Sequence, residues 1–196
     1  MRGKKRLCKC TKEKNSAPFS CKKLCPLQDN SKKMRNLLPK ICINAMDSII
    51  RITKEFTFET GHALHGYDGL CKNVHGHSYK LSVSVKGRPI NDPNHVKNGM
   101  VIDFSDLKKI VKEEIVVPFD HATVLNINTP HKELADEMEQ RGHKILRVNY
   151  QPTSEMLVTD FAEKISARLP KNIVLVGLKL RETETSFAEW LAEEQH

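Results

Sequence analysis

The sequence predicts an α+β fold in which a four-stranded antiparallel sheet carries two helices on one face. Two strand patterns open the patterned part of the chain, two helical patterns follow, and two further strand patterns close it. Strands and helices that are grouped in this way, rather than alternating, indicate an antiparallel sheet covered by helices on one side. Such a sheet has two exposed edges, which favours pairing between subunits.

The first two strands are predicted from alternating side chains. Residues 49–59 consist mainly of β-favouring types, and residues 75–87 alternate more regularly, with Tyr79 and Leu81 on the same face. A period of two residues is typical of a strand with one buried face. Residues 88–99, which contain Pro, Asn, Asp and Gly, are predicted to form a loop.

Two helices follow from N-cap residues and apolar periodicity. Ser105 is the expected N-cap of the first, which should run to about Ile115 with Asp106 in its first turn. Thr153 is the expected N-cap of the second, along which apolar residues recur at helical spacing. Both helices therefore present an apolar side to the predicted sheet.

An insertion separates the two helices, and two strands close the chain. The insertion is predicted to hold an irregular stretch around Pro118, a short helix from Thr129-Pro130 that Gly142 ends, and a short strand at 144–148. The closing strands are predicted at 173–181 and 186–191.

Residues 1–45 form a leader that differs from the domain predicted at residues 46–196. The leader holds 13 Lys/Arg and 2 Asp/Glu, whereas the remainder holds 19 and 22. The net charge of +8 therefore comes from the leader, and the domain gives no electrostatic reason to expect nucleic acid. Because the leader shows no helical or strand period, it is predicted to be disordered, and Met46 is a candidate start of translation.

Two other interpretations of the leader stay open. Cys8, Cys10, Cys21 and Cys25 could form a zinc knuckle, although their spacing is irregular, and the basic, acid-poor composition could indicate an organelle presequence. No run approaches the ~18 apolar residues of a membrane span, so we expect no membrane association. The lone cysteine of the domain, Cys71, fits a reducing compartment, and we expect a cytoplasmic protein.

Three histidines form a candidate metal site. His75 and His77 open the second predicted strand, and side chains two residues apart leave a strand on the same side. A hairpin between the first two strands could return His62 to this pair. Three histidines with an open fourth position are typical of catalytic zinc, whereas structural zinc sites usually have four protein ligands. A single histidine is more often solvated or hydrogen-bonded in the core, so the inference depends on all three.

Four other residues are weaker candidates. Cys71, four residues before His75, could be a base or nucleophile with a lowered pKa near a metal, or an inert buried cysteine. Asp120 and His121 could form a carboxylate–imidazole pair, although a loop turn explains the dipeptide equally simply. Glu182 follows an apolar run and by itself indicates only a charge at a strand end.

Taken together and in order, the motifs resemble the 6-pyruvoyltetrahydropterin synthase / 6-carboxytetrahydropterin synthase family. The resemblance covers about residues 50–192. Two features depart from the family pattern: Thr60-Gly61 before the first histidine, and a longer insertion at residues 126–151. The matching segments are Phe58-Glu59-Thr60-Gly61-His62, Cys71-x3-His75-Gly76-His77, Gly99–Phe104, Asp120-His121, Pro152-Thr153-x-Glu155 and Arg181-Glu182-Thr183.

The resemblance implies a zinc enzyme with a tunnelling-type fold. Its subunits would join sheet edges into a barrel and assemble as a homo-oligomer, a hexamer. Zinc would be bound by His62, His75 and His77. Thr153 and Glu155 would help to line a pterin pocket from a neighbouring subunit.

The resemblance also implies roles for the remaining candidates. Cys71 would be the catalytic base, and Asp120 with His121 would exchange a proton with the side chain of the substrate. Glu182 would bind the guanidine-like edge of the pterin, where two donors face one carboxylate. The substrate implied is 7,8-dihydroneopterin triphosphate.

Two reactions of this substrate are open. Carbon–carbon cleavage gives 6-carboxy-5,6,7,8-tetrahydropterin and acetaldehyde, an early step toward queuosine, and triphosphate elimination with internal redox gives 6-pyruvoyltetrahydropterin. The interval Cys71-x3-His75 resembles the carboxy-forming enzymes and favours the first. The alternative of another class is a non-catalytic zinc-binding interaction module, with the basic leader as an RNA tether. A metal site with an open position and Cys71 nearby argues against that alternative.

Overall fold

The computed structural model of the protein describes residues 48–195, which form one six-stranded sheet packed with helices. The predicted leader, residues 1–45, and the zinc-knuckle cysteines within it lie outside the described residues. None of the helices in residues 48–195 is both long and apolar enough to cross a membrane. The strands are β1 (Ile50–His62), β2 (His75–Gly87), β3 (Ala122–Asn126), β4 (Ile145–Val148), β5 (Val174–Arg181) and β6 (Phe187–Leu191), and the helices are α1 (Phe104–Val111), α2 (Val117–Phe119), α3 (His131–Gln140) and α4 (Ser154–Arg168).

The hairpin of β1 and β2 confirms the two strands predicted first. The strands pair antiparallel over their full length, from Ile50 opposite Gly87 to His62 opposite His75. On one face the side chains are buried, including Phe58 and Tyr79, and on the other face most are exposed. The alternation in the sequence thus corresponds to one covered and one open face.

The sheet has six strands and is mixed, so the prediction of a four-stranded antiparallel sheet was wrong in strand number and in strand direction. Strands β1, β2, β5 and β6 do lie in antiparallel order, but β3 and β4 extend the sheet beyond β1. Strand β3 pairs parallel with β1 only over Thr60–His62, and β4 pairs parallel with β3. The irregular stretch predicted around Pro118 is not observed: residues 117–119 are helical, and residues 122–126 form a strand through pairing with the end of β1.

The main core lies between one face of the sheet and helices α1 and α4, as predicted. Leu107 of α1 and Phe161 of α4 are fully buried there, together with Val124 of β3. Helix α3 departs from the prediction of helices on one face only. It contributes Ala135 to a second cluster with Leu125, and adjacent residues of a strand point to opposite faces. The insertion therefore covers the other face of β3.

The helix termini agree with the predicted N-cap in one case and differ in the other. Thr153 caps α4, because its side-chain oxygen accepts a hydrogen bond from the backbone N–H of Met156. Helix α1 is capped by Asp103 instead of Ser105, since the Asp103 carboxylate accepts the backbone N–H of Ser105 at 2.7 Å. A π-helical segment at Lys112–Val116 continues α1 into α2. The helical run thus ends beside the start of β3.

Candidate active site and metal centre

The three predicted histidines meet on the helix-covered face of the β1–β2 hairpin. One ring nitrogen from each of His62, His75 and His77 lies within 4.8 Å of the other two. The Nε2 atoms of His62 and His75 are 3.2 Å apart. Alternation along β1 and β2 directs all three side chains to the face that also carries Tyr79. The predicted clustering is confirmed, and we call these residues the histidine triad.

Backbone carbonyls orient two rings of the triad. His62 Nδ1 donates to the carbonyl of Pro152 at 2.6 Å, and His75 Nδ1 donates to the carbonyl of Asn73 at 2.9 Å. A proton on Nδ1 leaves the lone pair on Nε2, the nitrogen that faces the other rings. His77 Nε2 is buried without a hydrogen-bond partner in the structure. Three nitrogen lone pairs that converge in this way fit a divalent metal ion.

Burial favours the neutral, metal-binding form of two histidines of the triad. Burial is the main cause that lowers the pKa of His62, and the neighbouring His75 lowers it further, although the Pro152 carbonyl and Glu182 act in the opposite sense. Burial also lowers the pKa of His77, against the charge of Glu182. Only the neutral imidazole binds a metal, so these shifts favour binding near neutral pH.

Glu182 lies beside the triad and is held by Tyr79. Its Oε1 atom is 3.5 Å from His77 Nε2 and 3.7 Å from His62 Nε2, and it accepts a hydrogen bond of 3.0 Å from the Tyr79 hydroxyl. Tyr79 is fully buried, and burial followed by the charge of Glu182 strongly raises its pKa, so the hydroxyl remains a donor. The alternation in the sequence predicts only that Tyr79 shares a strand face with Leu81. Its place two residues after His77 on that face is the pattern from which its contact with the site could have been inferred.

Cys71 lies in the short 3₁₀ turn Leu70–Lys72 between β1 and β2. Its backbone carbonyl accepts the N–H of Leu64 at 2.9 Å, which ties the turn to the end of β1. The cysteine is free, partly exposed, and near enough to Tyr79 for its charge to add to the rise in the Tyr79 pKa. Its sulfur is not among the ligand atoms that converge in the triad. Among residues 48–195, the converging ligand atoms are therefore those of the three histidines.

Asp120 and His121 form a carboxylate–imidazole pair in the turn between α2 and β3. Asp120 Oδ1 lies 3.0 Å from His121 Nδ1 and also accepts the backbone N–H of Glu59 at 2.9 Å. That backbone hydrogen bond is the main cause that lowers the Asp120 pKa, and His121 adds to it. The His121 side chain is 77% exposed. We call this pair the Asp120–His121 dyad.

An open cavity of about 350 Å³ borders the dyad, and its lining includes His121 and, of the triad, only His77. Ser78, which also lines it, alternates with His77 along β2, so the cavity lies mainly on the face of the hairpin opposite the triad. Gly61 and Gly76, which are opposite each other in the β1–β2 ladder, also line it. The cavity lies within the size range of small-molecule sites.

Comparison with known proteins identifies the family to which the chain belongs. A family model described as 6-pyruvoyl tetrahydropterin synthase matches residues 51–193. The chain belongs to this family. The family match spans every candidate site residue of the predicted domain, but not the candidate zinc-knuckle cysteines.

Within the family, the chain is similar to bacterial proteins of one name. It is 38% identical over 145 residues to the 6-carboxy-5,6,7,8-tetrahydropterin synthase of Haemophilus influenzae, covering 72% of this chain and 99% of the relative. It is 32% identical over 144 residues to the protein of the same name from Rickettsia felis, with the same two coverages. The similarity extends over nearly the whole of each relative.

Solved structures support the fold. The protein resembles an uncharacterised protein of Wolinella succinogenes with a TM-score of 0.59 and 22% identity, covering 74% of this chain and 99% of the other. It also resembles the 6-pyruvoyl tetrahydropterin synthase of Caenorhabditis elegans with a TM-score of 0.52 and 23% identity, covering 74% and 96%. At these identities the likeness concerns the fold alone.

Two predicted pterin-binding residues of the family motif lie at the start of α4. Pro152, the residue before Thr153, contacts the triad through its carbonyl, so this end of the helix borders the metal site. The Glu155 side chain is exposed, and within residues 48–195 no hydrogen bond or ion pair joins it to the triad. The structure therefore brings Pro152, the residue before Thr153, into contact with the triad within one chain.

Proposed function

We propose that this protein is a zinc-dependent enzyme that converts 7,8-dihydroneopterin triphosphate into 6-carboxy-5,6,7,8-tetrahydropterin. The observation that carries the proposal is the convergence of the histidine triad in a chain 38% identical to a relative of that name. The interval Cys71-x3-His75 is the sequence feature that favours the carboxy product over the pyruvoyl product. We further propose that the product enters queuosine synthesis in the cytoplasm.

Zinc is the metal proposed for the triad. Three imidazoles with room for a further ligand are a typical catalytic zinc set, and the carbonyls of Asn73 and Pro152 already hold two of the rings in place. A bound zinc ion would act as a Lewis acid toward the hydroxyl oxygens of the substrate side chain. The protein supplies the orientation of the ligands and the low-dielectric surroundings.

The remaining residues have roles in binding and proton transfer. Glu182 accepts hydrogen bonds from the pterin edge, and Tyr79 donates to one of its oxygens and so restricts the carboxylate to one orientation. Cys71 removes a proton from the substrate side chain. The Asp120–His121 dyad is the second proton-transfer group, and Asp120 accepts the Nδ1–H of His121, which leaves Nε2 free to exchange a proton.

We also propose that the protein acts as a homo-oligomer, a hexamer by resemblance to the family. Strand β1 pairs with β3 only over Thr60–His62, so its edge from Ile50 to Glu59 has no strand partner among the described residues. Strand β6 is the edge on the opposite side of the sheet. Two open edges of one sheet can pair between subunits and close into a barrel. Thr153 and Glu155 would then line a pterin pocket that includes a neighbouring subunit.

Product analysis tests the proposed function. The purified, zinc-loaded protein is incubated with 7,8-dihydroneopterin triphosphate, and the products are identified by mass spectrometry. We expect 6-carboxy-5,6,7,8-tetrahydropterin together with acetaldehyde. Accumulation of 6-pyruvoyltetrahydropterin would assign the other branch of the family. No turnover by a zinc-loaded protein would favour the non-catalytic zinc-binding module.

A further inference from the structure

The Asp120–His121 dyad occupies a backbone conformation that needs support from outside the turn. His121 has a φ of 58°, in the left-handed region that residues other than glycine adopt only at an energetic cost. Such a conformation persists only when surrounding contacts hold it. The backbone N–H of His121 donates to the carbonyl of Glu59 at 2.6 Å, which is one such contact from β1.

A second set of contacts comes from Lys144, which precedes β4 in the insertion. Its Nζ atom donates to the carbonyls of Val117 and Asp120, each at 2.7 Å. The first carbonyl belongs to α2 and the second to the dyad itself, so one ammonium group joins the end of the helix to the turn. Cations are favourable at helix C-termini, where the last carbonyls lack partners within the helix.

The position of this ammonium group is restricted by the main chain. The carbonyl of Lys144 accepts the backbone N–H of Thr123 at 2.9 Å, and the next residue, Ile145, pairs with Thr123 in the sheet. The backbone of Lys144 is therefore held against Thr123, which lies two residues after His121. The Lys144 side chain extends from there to the turn that contains the dyad. Its positive charge also helps to lower the Asp120 pKa, after the contributions of Glu59 and His121.

We propose that Lys144 is a positioning residue for the Asp120–His121 dyad, which holds the turn so that the His121 imidazole stays at the cavity. The residue does not line the cavity and touches the dyad only through a backbone carbonyl. The inference rests on the proposed function for its effect on turnover. Through Lys144, part of the insertion at residues 126–151 would have a role in supporting the site.

Steady-state kinetics of Lys144→Met tests this role. Because displacement of a reacting group by about 1 Å can cost up to ~10²-fold, kcat should fall by roughly 10- to 100-fold. KM should change by less than about threefold, since Glu182 and the triad are untouched. Lys144→Arg should recover part of the loss, because a guanidinium group also donates to carbonyls. Lys132→Met, which removes an exposed lysine of α3, should behave as the wild type.

A double-mutant cycle separates positioning from general destabilisation. In a His121→Ala background, Lys144→Met should lower kcat by less than about twofold, because the group that it positions is already absent. An equal loss in both backgrounds, or an unchanged kcat for Lys144→Met, would overturn the proposal.

Amide hydrogen exchange tests the contact independently of turnover. Lys144→Met should raise the exchange rate of the segment 117–123 while Lys132→Met leaves it unchanged. Unchanged exchange in both variants would show that Lys144 does not hold the turn. If the wild-type protein shows no turnover, the proposed function fails, and the exchange rates alone decide whether Lys144 supports the dyad.

Discussion

At the scale of single residues, the spacing of the triad predicted its geometry but not the contacts that orient it. A strand places His75 and His77 on one side, and the hairpin brings His62 opposite His75. The two-residue period of a strand is therefore enough to predict that the three side chains cluster. The carbonyl of Pro152 that binds His62 lies 90 residues away in the sequence, and no local pattern indicates that contact. Lys144 was missed for the same reason, since its role depends on the pairing of two short parallel strands.

The metal content of triad variants gives the first prediction. His77→Ala leaves two nitrogens where three converge, so bound zinc should fall far below the one ion per chain expected for the wild type. His143→Ala, which removes an exposed histidine after α3, is the matched control and should retain zinc. Zinc is counted by elemental analysis of the purified proteins. Full occupancy of His77→Ala would contradict the ligand assignment.

Cys71 is tested by separating metal binding from turnover. Its sulfur lies outside the converging ligand atoms, so Cys71→Ala should retain zinc. Activity should fall by on the order of 10²–10⁴, the usual contribution of one positioned acid–base group. One metal analysis and one rate measurement give both values. Loss of zinc would make the thiol a ligand, and near-normal turnover would transfer the role of base to His121.

At the scale of secondary-structure elements, the start of α4 combines a helix cap with support of the site. Thr153→Ala removes the side-chain acceptor for the Met156 N–H, which should lower the free energy of unfolding by about 1 kcal/mol. Zinc affinity should fall as well, because Pro152, whose carbonyl orients His62, precedes the cap. Denaturant unfolding and metal titration measure the two effects.

Thr153→Ser is the control for this prediction, because serine keeps the hydroxyl that accepts the N–H. It should restore most of the lost stability and zinc affinity. If Thr153→Ser loses as much stability as Thr153→Ala, the threonine methyl group, and not the cap, carries the effect.

The elements that were predicted well are those with long periodic patterns. Strands β1 and β2 and helix α4 have such patterns, and their periods distinguish strand from helix. The short strand predicted at 144–148 is confirmed as β4, whereas β3, which is five residues long and pairs in parallel and non-locally, was not predicted. Asp103 and Ser105 are both suitable caps, and only the observed backbone angles identify Asp103.

At the scale of the whole molecule, the family match begins at residue 51, near the point where regular sequence patterns begin. A chain that begins at Met46 should therefore fold and turn over like the full chain, since it retains β1 and everything after it. Circular dichroism and the rate of product formation compare the two chains. Loss of activity or of folding in the shortened chain would assign a structural role to residues 1–45.

The hydrogen bond between His62 and the carbonyl of Pro152 links the metal site to the integrity of the entire domain. One partner is in the first strand and the other directly precedes α4, so the pair cannot survive if that helix separates from the sheet. Release of a bound ion should therefore coincide with the cooperative melting transition. A chromogenic chelator present during heating would change absorbance as it binds the released metal. The midpoint temperature of that absorbance change should match the midpoint for the loss of helical ellipticity.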